Sequence, residues 1–275
     1  MTGHAGHRPL VVFTCLAIAG SGLVSASAYF ELVHGLAAPA AVAVGAVMLA
    51  AGLAVSLGHL GQKQRAPLAV RGAGRSSLSN EALLAGMAVT AAAVAAGLGL
   101  GGAPSTFATA AAGVTNAACL VSIGLVYRVR GQRTWQGFSA LTPLTGGLAF
   151  GAIAIQSLAG PDGVFAATLL VIAIDALVFS QRWRDVAAVA FTDAVLANPW
   201  MIRRSQLLAA RFFLLDVVPF FLLAVSPAFP ALLAAAAGVF VDRFAFYALA
   251  LQHTTEHEIG DVESRIASGG RYGEH

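Results

Sequence analysis

Eight apolar runs divide the chain, at about 10–30, 37–58, 82–101, 106–127, 140–159, 163–180, 206–225 and 229–250. Each is close to the roughly 20 residues that carry a helix across a bilayer. The breaks between them alternate in kind. Ala38-Pro39, Gly101-Gly102-Ala103-Pro104, Gly160-Pro161-Asp162-Gly163 and Ser226-Pro227 are short and rich in Gly and Pro, the signals that end helices and turn the chain. The intervening segments 59–81, 128–139 and 181–205 are longer and polar. The pattern predicts helical hairpins in an all-α, eight-transmembrane-helix bundle over 1–250, then a polar tail over 251–275 with Glu256, Glu258, Asp261, Glu263 and Glu274. Gly146, Gly147 and Gly151 predict a face of the fifth helix that lets a neighbour approach closely.

Composition makes the membrane reading firm. Hydrophobic residues are 58% of the chain and charged ones 11%, where a soluble domain carries about 25% charged residues. The net charge of +3 matters through its distribution. Lys63, Arg65, Arg71, Arg75, Arg128, Arg130, Arg133, Arg182, Arg184, Arg203 and Arg204 fall in the long segments, whereas the short turns hold Glu31, His34 and Asp162 and no Lys or Arg. The positive-inside rule places the long loops and both termini in the cytoplasm. The same basic loops suit an acidic protein partner. Arg8 followed by an apolar stretch and Ser25-Ala26-Ser27-Ala28 loosely imitates a signal peptide, but the run is long and reads as the first span. Cys15 and Cys119 lie in apolar runs and are too few to hold an iron–sulfur cluster or zinc. His253 and His257 are four apart but in the polar tail, so no metal site is expected. Trp135, Trp183 and Trp200 fall in or near the basic loops, where interfacial anchoring is the ordinary role.

Five charges interrupt the later spans: Asp175, Arg211, Asp216, Asp242 and Arg243. All but Asp216 are expected roughly 8–12 Å below the long-loop face, at about 1.5 Å of rise per residue. A bare charge there costs several kcal/mol, so these groups should face the interior and pair. Depth suggests Arg211 with Asp242. They either bind helices together or line a pocket, with Tyr247 beside them.

The candidate chemistry lies earlier. His59 ends the second run and Glu81 begins the third, so both fall at one membrane face. An imidazole can donate to a quinone carbonyl and titrates near neutral pH, and a carboxylate beside it can relay protons to water.

The residues around this pair resemble the membrane-anchor subunits of the dimethyl sulfoxide reductase family of molybdoenzymes. His7-Arg8-Pro9-Leu10 leading into Val11-Val12-Phe13-Thr14 looks like the family's opening. Gly58-His59-Leu60-Gly61, with Arg65 six residues after the histidine, resembles its His-Leu-Gly segment, and Leu78-Ser79-Asn80-Glu81 its Leu-Ser-Asn/Arg-Glu segment. Val126-Tyr127-Arg128 with Thr134-Trp135, then Arg211, then Arg243 with Phe246-Tyr247, resemble later family positions. Lys63, Pro67 and Asp242 stand where relatives commonly have proline, an aromatic residue and glycine. The resemblance implies a multi-pass subunit of the bacterial inner membrane without haem. It would bind an iron–sulfur subunit and, through it, a molybdopterin catalytic subunit, and exchange electrons with menaquinone or ubiquinone. It implies quinone binding by His59, Gly61, Arg65 and Glu81, with partner docking by Arg71, Arg75, Tyr127, Arg128 and Trp135. A cytoplasmic docking side favours the quinone-reducing anchor of a sulfite dehydrogenase. The alternative is the quinol-oxidising anchor of a reductase of dimethyl sulfoxide or a related acceptor. A reading of another class is a secondary transporter whose relay is Asp175, Asp216 and the charges of the last helix.

Overall fold

The computed structural model describes residues 8–59, 72–126, 137–159, 164–192, 199–225 and 228–248. Among them the chain is helical: α1 (Arg8–His34), α2 (Pro39–His59), α3 (Ser77–Leu100), α4 (Thr106–Val126), α5 (Thr142–Ala159), α6 (Phe165–Thr192), α7 (Pro199–Phe212), α8 (Val218–Ala224) and α9 (Ala228–Ala248). A single π turn, Phe213–Val217, joins α7 to α8, and the three make one span. Eight segments of these helices are long and apolar enough to cross a membrane, as the run pattern predicts.

The helix starts follow from local chemistry. Pro39 opens α2 at a position where its missing N–H has no helical acceptor to lose. Ser76 caps α3, its Oγ accepting from the Ser79 N–H at 3.5 Å. Gly74, at φ +78°, folds the preceding turn so that its N–H donates to Asn80 Oδ1 at 2.7 Å. Gly102 takes φ +73° after α3 and reverses the chain toward α4.

α1 and α5 form the interior. α1 contacts α2, α4, α5 and α9, and its span is the most enclosed of the eight. Without a hydrophobic driving force between helices in lipid, close backbone approach supplies the packing. A methyl group at Gly22 would overlap the carbonyl of Gly147, and one at Gly151 the carbonyl of Gly22. The expected small-residue face of α5 is therefore in contact with α1. On the other side of α1, a methyl at Gly20 would stand 2.6 Å from Gly45 O of α2. The N-terminal half of α1 packs against the C-terminal halves of α2 and α9, with Gly52 beside Phe13 and Cys15 Sγ 4.0 Å from Val239 O. One end of the bundle thus gathers Arg8, His59 and Ala248.

Two corrections to the sequence reading arise here. The sixth helix does not stop near 180: α6 continues to Thr192, and Arg182 is buried rather than part of a basic loop. Its charge lowers the hydropathy, but Asp242 of α9 neutralises it inside the bundle, with the rings of Phe179 and Phe246 beside it. The 181–205 segment is consequently mostly helical, since α7 already begins at Pro199. Arg184, two residues on, is exposed and bonds to Gln181.

Gly22→Leu should prevent normal assembly of α1 on α5, because the clash is with backbone that cannot turn aside. Overpacking usually costs about 1–3 kcal/mol, and this contact lies at the upper end. Gly86, where a methyl would meet nothing within 4 Å, gives the control. A thermal-shift measurement in detergent should show a lower midpoint for Gly22→Leu and an unchanged or higher one for Gly86→Ala.

Candidate functional site

Two polar systems are buried in the bundle. The larger joins α5, α6, the α7–π–α8 span and α9. It contains three arginines, Arg182, Arg211 and Arg243, and three aspartates, Asp175, Asp216 and Asp242. Arg211 is fully buried. Its Nη2 meets Asp175 Oδ2 at 2.6 Å and its Nη1 meets Asp216 Oδ2 at 2.6 Å. Its Nε faces Asp242 Oδ1 at 3.6 Å. The pairing expected from depth, Arg211 with Asp242, is therefore the outer contact, and Asp175 and Asp216 hold the guanidinium directly. Asp242 instead takes Arg182 Nη1 at 2.6 Å and Arg243 Nε at 2.8 Å, with Arg243 Nη2 also against its Oδ2.

Hydroxyls and rings complete the shell. Thr145 Oγ1 donates to Asp175 Oδ1 at 2.6 Å, and Arg243 Nη2 donates to Thr142 Oγ1 at 3.3 Å. Phe179 lies under Arg211, 4.1 Å from ring centroid to Cζ. Phe246 lies between Arg182 and Arg243, at 5.8 and 4.9 Å. Such faces attract cations, more so when water is excluded. Tyr247 packs edge-on against Phe246 at 5.3 Å and is half-buried. Among the described residues these six charges balance, which is the condition for ion pairs to survive in low dielectric.

The π turn makes part of this possible. Residues five apart on an α-helix point about 140° from each other at 3.6 residues per turn. A wider π turn brings them nearer one face, and Arg211 and Asp216 are five apart. Its cause is local. Pro219 cannot follow an α turn without striking the carbonyl four residues earlier, and the Val218 N–H donates to Phe213 O, five residues back. The widened turn pushes Leu215 toward α9, where a methyl on Gly238 would come within 2.8 Å of the Leu215 nitrogen. Neither the π turn nor the place of Arg182 is visible in hydropathy; Pro219 and Gly238 are the residues that could have marked them.

The second system is smaller and lies between α1, α3 and α4. Glu81 sits in the second turn of α3 and is only 4% exposed. Its Oε1 has no hydrogen-bond partner among the described residues. Cys119 of α4 lies close enough for its thiol to feel that carboxylate, and Ser21 of α1 is beside the same thiol. His59 is the last residue of α2, at the same end of the bundle; its side chain lies outside the described residues. So do Gly61, Arg65, Arg71, Tyr127, Arg128 and Trp135. Arg75 is described and exposed, in the turn before α3.

Fold and site together define a multi-pass helical membrane protein with a charge-balanced ion layer and a separate buried carboxylate. No protein-family model, no curated protein and no solved structure matches the chain.

Arg211→Met should be the most damaging single change in the ion layer, since it leaves Asp175 and Asp216 facing each other unpaired. Removing one partner of a buried pair costs about 3–5 kcal/mol. Arg184→Ala, at an exposed site, should stay within about 0.5 kcal/mol of the parent. Monodisperse recovery after a graded heat challenge, read by size exclusion, would separate the two.

Proposed function

We propose that the chain is the membrane-anchor subunit of a heterotrimeric molybdopterin and iron–sulfur oxidoreductase, and that it carries the complex's quinone site. The observation that carries this reading is Glu81. It is a carboxylate enclosed by apolar helices with an unpartnered oxygen, at the end of the bundle where α2 delivers His59. Leaving a buried polar atom unpaired costs about 1–3 kcal/mol, and a site that accepts such a cost is a candidate for a hydrogen-bonding ligand. A quinone headgroup supplies the complementary atoms and its isoprenoid tail can lie in lipid. The resemblance of His59 to Arg65 and Leu78 to Glu81 to the anchor family supports the same assignment.

In this reading His59 donates to a quinone carbonyl and Glu81 holds or passes a proton at its free oxygen. Arg65 and Gly61 belong to the same rim. The exposed Arg75, with Arg71, Tyr127, Arg128 and Trp135, forms the surface for the iron–sulfur subunit, which binds the catalytic subunit in turn. The cofactor and clusters reside in those partners. With no haem expected in the anchor, the quinone has to lie close to the partner's cluster, which places the site at the docking end. The charge asymmetry of the loops puts that end in the cytoplasm of a bacterial inner membrane. A cytoplasmic catalytic subunit passing electrons into quinone fits that arrangement, with sulfite as its substrate.

The bare anchor should co-purify with an iron–sulfur subunit and a molybdenum subunit. In that complex Glu81→Gln and His59→Ala should each lower quinone-linked turnover by about 100-fold, the scale of losing a positioned proton-transfer group. Turnover with a soluble dye that takes electrons from the partner subunits should be unchanged. Full quinone-linked turnover in an assembled Glu81→Gln complex would remove Glu81 from the site.

A fluorescent protein fused after His275 should glow, reporting a cytoplasmic end. A dark fusion with a periplasmically active reporter at the same place would overturn the orientation and with it the preference for a sulfite-oxidising complex.

A further inference from the structure

Glu81 is not an isolated polar atom. Two further side chains on the same three helices are buried with an atom that has no hydrogen-bond partner among the described residues: Ser21 Oγ of α1 and Asn116 Oδ1 of α4. Each is fully enclosed. Their arrangement is a file rather than a scatter. Glu81 is about 6 Å along α3 from its start, Cys119 about 10 Å from the end of α4, and Asn116 about 15 Å from that end, at 1.5 Å of rise per residue. The Cys119 thiol faces Ser21 and is near enough to Glu81 to interact with it electrostatically. Asn116, one turn deeper than Cys119, donates from Nδ2 to Ala88 O of α3 at 3.2 Å and to Ala112 O at 2.9 Å. That bond fixes the amide across the α3–α4 contact and leaves its carbonyl oxygen free.

The apolar positions on α3 between these groups are Ala85, Ala88 and Ala92, all buried. No large side chain of α3 fills that face. Glu81 itself is only one turn from the exposed turn at Gly74 and Arg75, which gives the file an outer mouth. Two buried oxygens without a partner, Glu81 Oε1 and Asn116 Oδ1, and a Ser21 hydroxyl whose polar neighbour is the Cys119 thiol offer the polar partners that internal water requires.

We propose that the seam between α1, α3 and α4 is a hydrated proton path, in which water molecules link Glu81 to Ser21 and Asn116 and carry protons between the bundle end and its middle. A proton arriving on Glu81 passes to the adjacent water, and that water passes one of its own to the next oxygen, so no bond other than O–H is made or broken. Asn116 and Ser21 act as positioning residues that hold the waters. The path rests on the buried oxygens and stands whether or not a quinone binds at Glu81.

The chain has two cysteines, which gives a direct probe. Cys15→Ala leaves Cys119, in the middle of the seam, as the only thiol, and its S–H stretch can be followed by infrared spectroscopy as the full-length protein in lipid nanodiscs is moved into D2O. A hydrated seam converts S–H to S–D far faster than the core backbone amides of α1 exchange. Adding Asn116→Leu or Ser21→Ala should slow that conversion by about tenfold, the factor for losing one hydrogen bond of about 1.4 kcal/mol. Ser21→Ala adds no bulk and keeps the comparison available should Asn116→Leu fail to assemble. Thiol exchange only as fast as the core amides, or exchange that neither substitution slows, overturns the proposal. Because no quinone or partner subunit is in the experiment, its outcome is independent of the quinone-linked turnover test.

Discussion

A guanidinium inside a bilayer has to bring its counter-charges with it, and Arg211 organises the second half of the molecule on that condition. Two carboxylates at 2.6 Å come from different elements, Asp175 from α6 and Asp216 from its own span. Asp242 of α9 stands behind them and takes up Arg182 and Arg243. The consequence is geometric. α6, α7 and α9 cannot slide along one another without separating charges in a medium where Coulomb forces are far stronger than in water. In lipid, where apolar contact does little to choose between helix partners, such a layer specifies which helices meet and at what depth. The π turn belongs to the same device, since Pro219 widens the span where the Arg211–Asp216 pair needs it, and Gly238 of α9 yields the space.

The first half of the molecule is held by other means. α1 to α4 carry few charges within their spans, and α1 joins α2 and α5 by close approach of small residues, with Gly20 against Gly45 and Gly22 against Gly147 and Gly151. Serine and threonine hydroxyls mostly bond back to their own helix, as Thr14 does to Leu10 O and Ser27 to Leu23 O. Ser25 is an exception that reaches Gly113 O of α4 at 3.1 Å. Packing of this kind tolerates small adjustments, and Ser21 Oγ, Glu81 Oε1 and Asn116 Oδ1 stay unpaired in it, as Thr168 Oγ1 and Asp216 Oδ1 do in the other half.

Much of this was legible in the chain. Eight spans, their approximate ends, the close-packing glycines of α5 and the burial of Arg211, Asp242 and Arg243 all follow from hydropathy and the cost of charge in lipid. The pairing did not follow. Depth alone put Arg211 with Asp242, but depth is one coordinate; the azimuth of each side chain decides which partner is nearest, and a π turn rotates everything beyond it. Arg182 was missed for a related reason. Read by hydropathy, Gln181, Arg182 and Arg184 end a span, whereas the helix continues and only alternate faces of it meet water. Glu81 was singled out by its place beside a basic loop, but its burial follows from the helices packed against α3, chiefly α4 and α2, which no property of the residues near position 81 predicts.

α1 explains why the two polar systems can coexist. It runs between them, with Cys15 toward Val239 of α9 on one side and Ser21 beside Cys119 of α4 on the other. The ion layer is balanced among its own six groups, so its field falls off quickly beyond α1. Glu81 therefore keeps a carboxyl whose behaviour is set by burial and by its immediate seam rather than by three nearby arginines. Had the arginines shared its helices, one of them would have paired with it and closed the oxygen that is now free. Separation by one apolar helix thus keeps both arrangements: a half fixed by its ion layer, and a half in which Glu81 Oε1 has no partner.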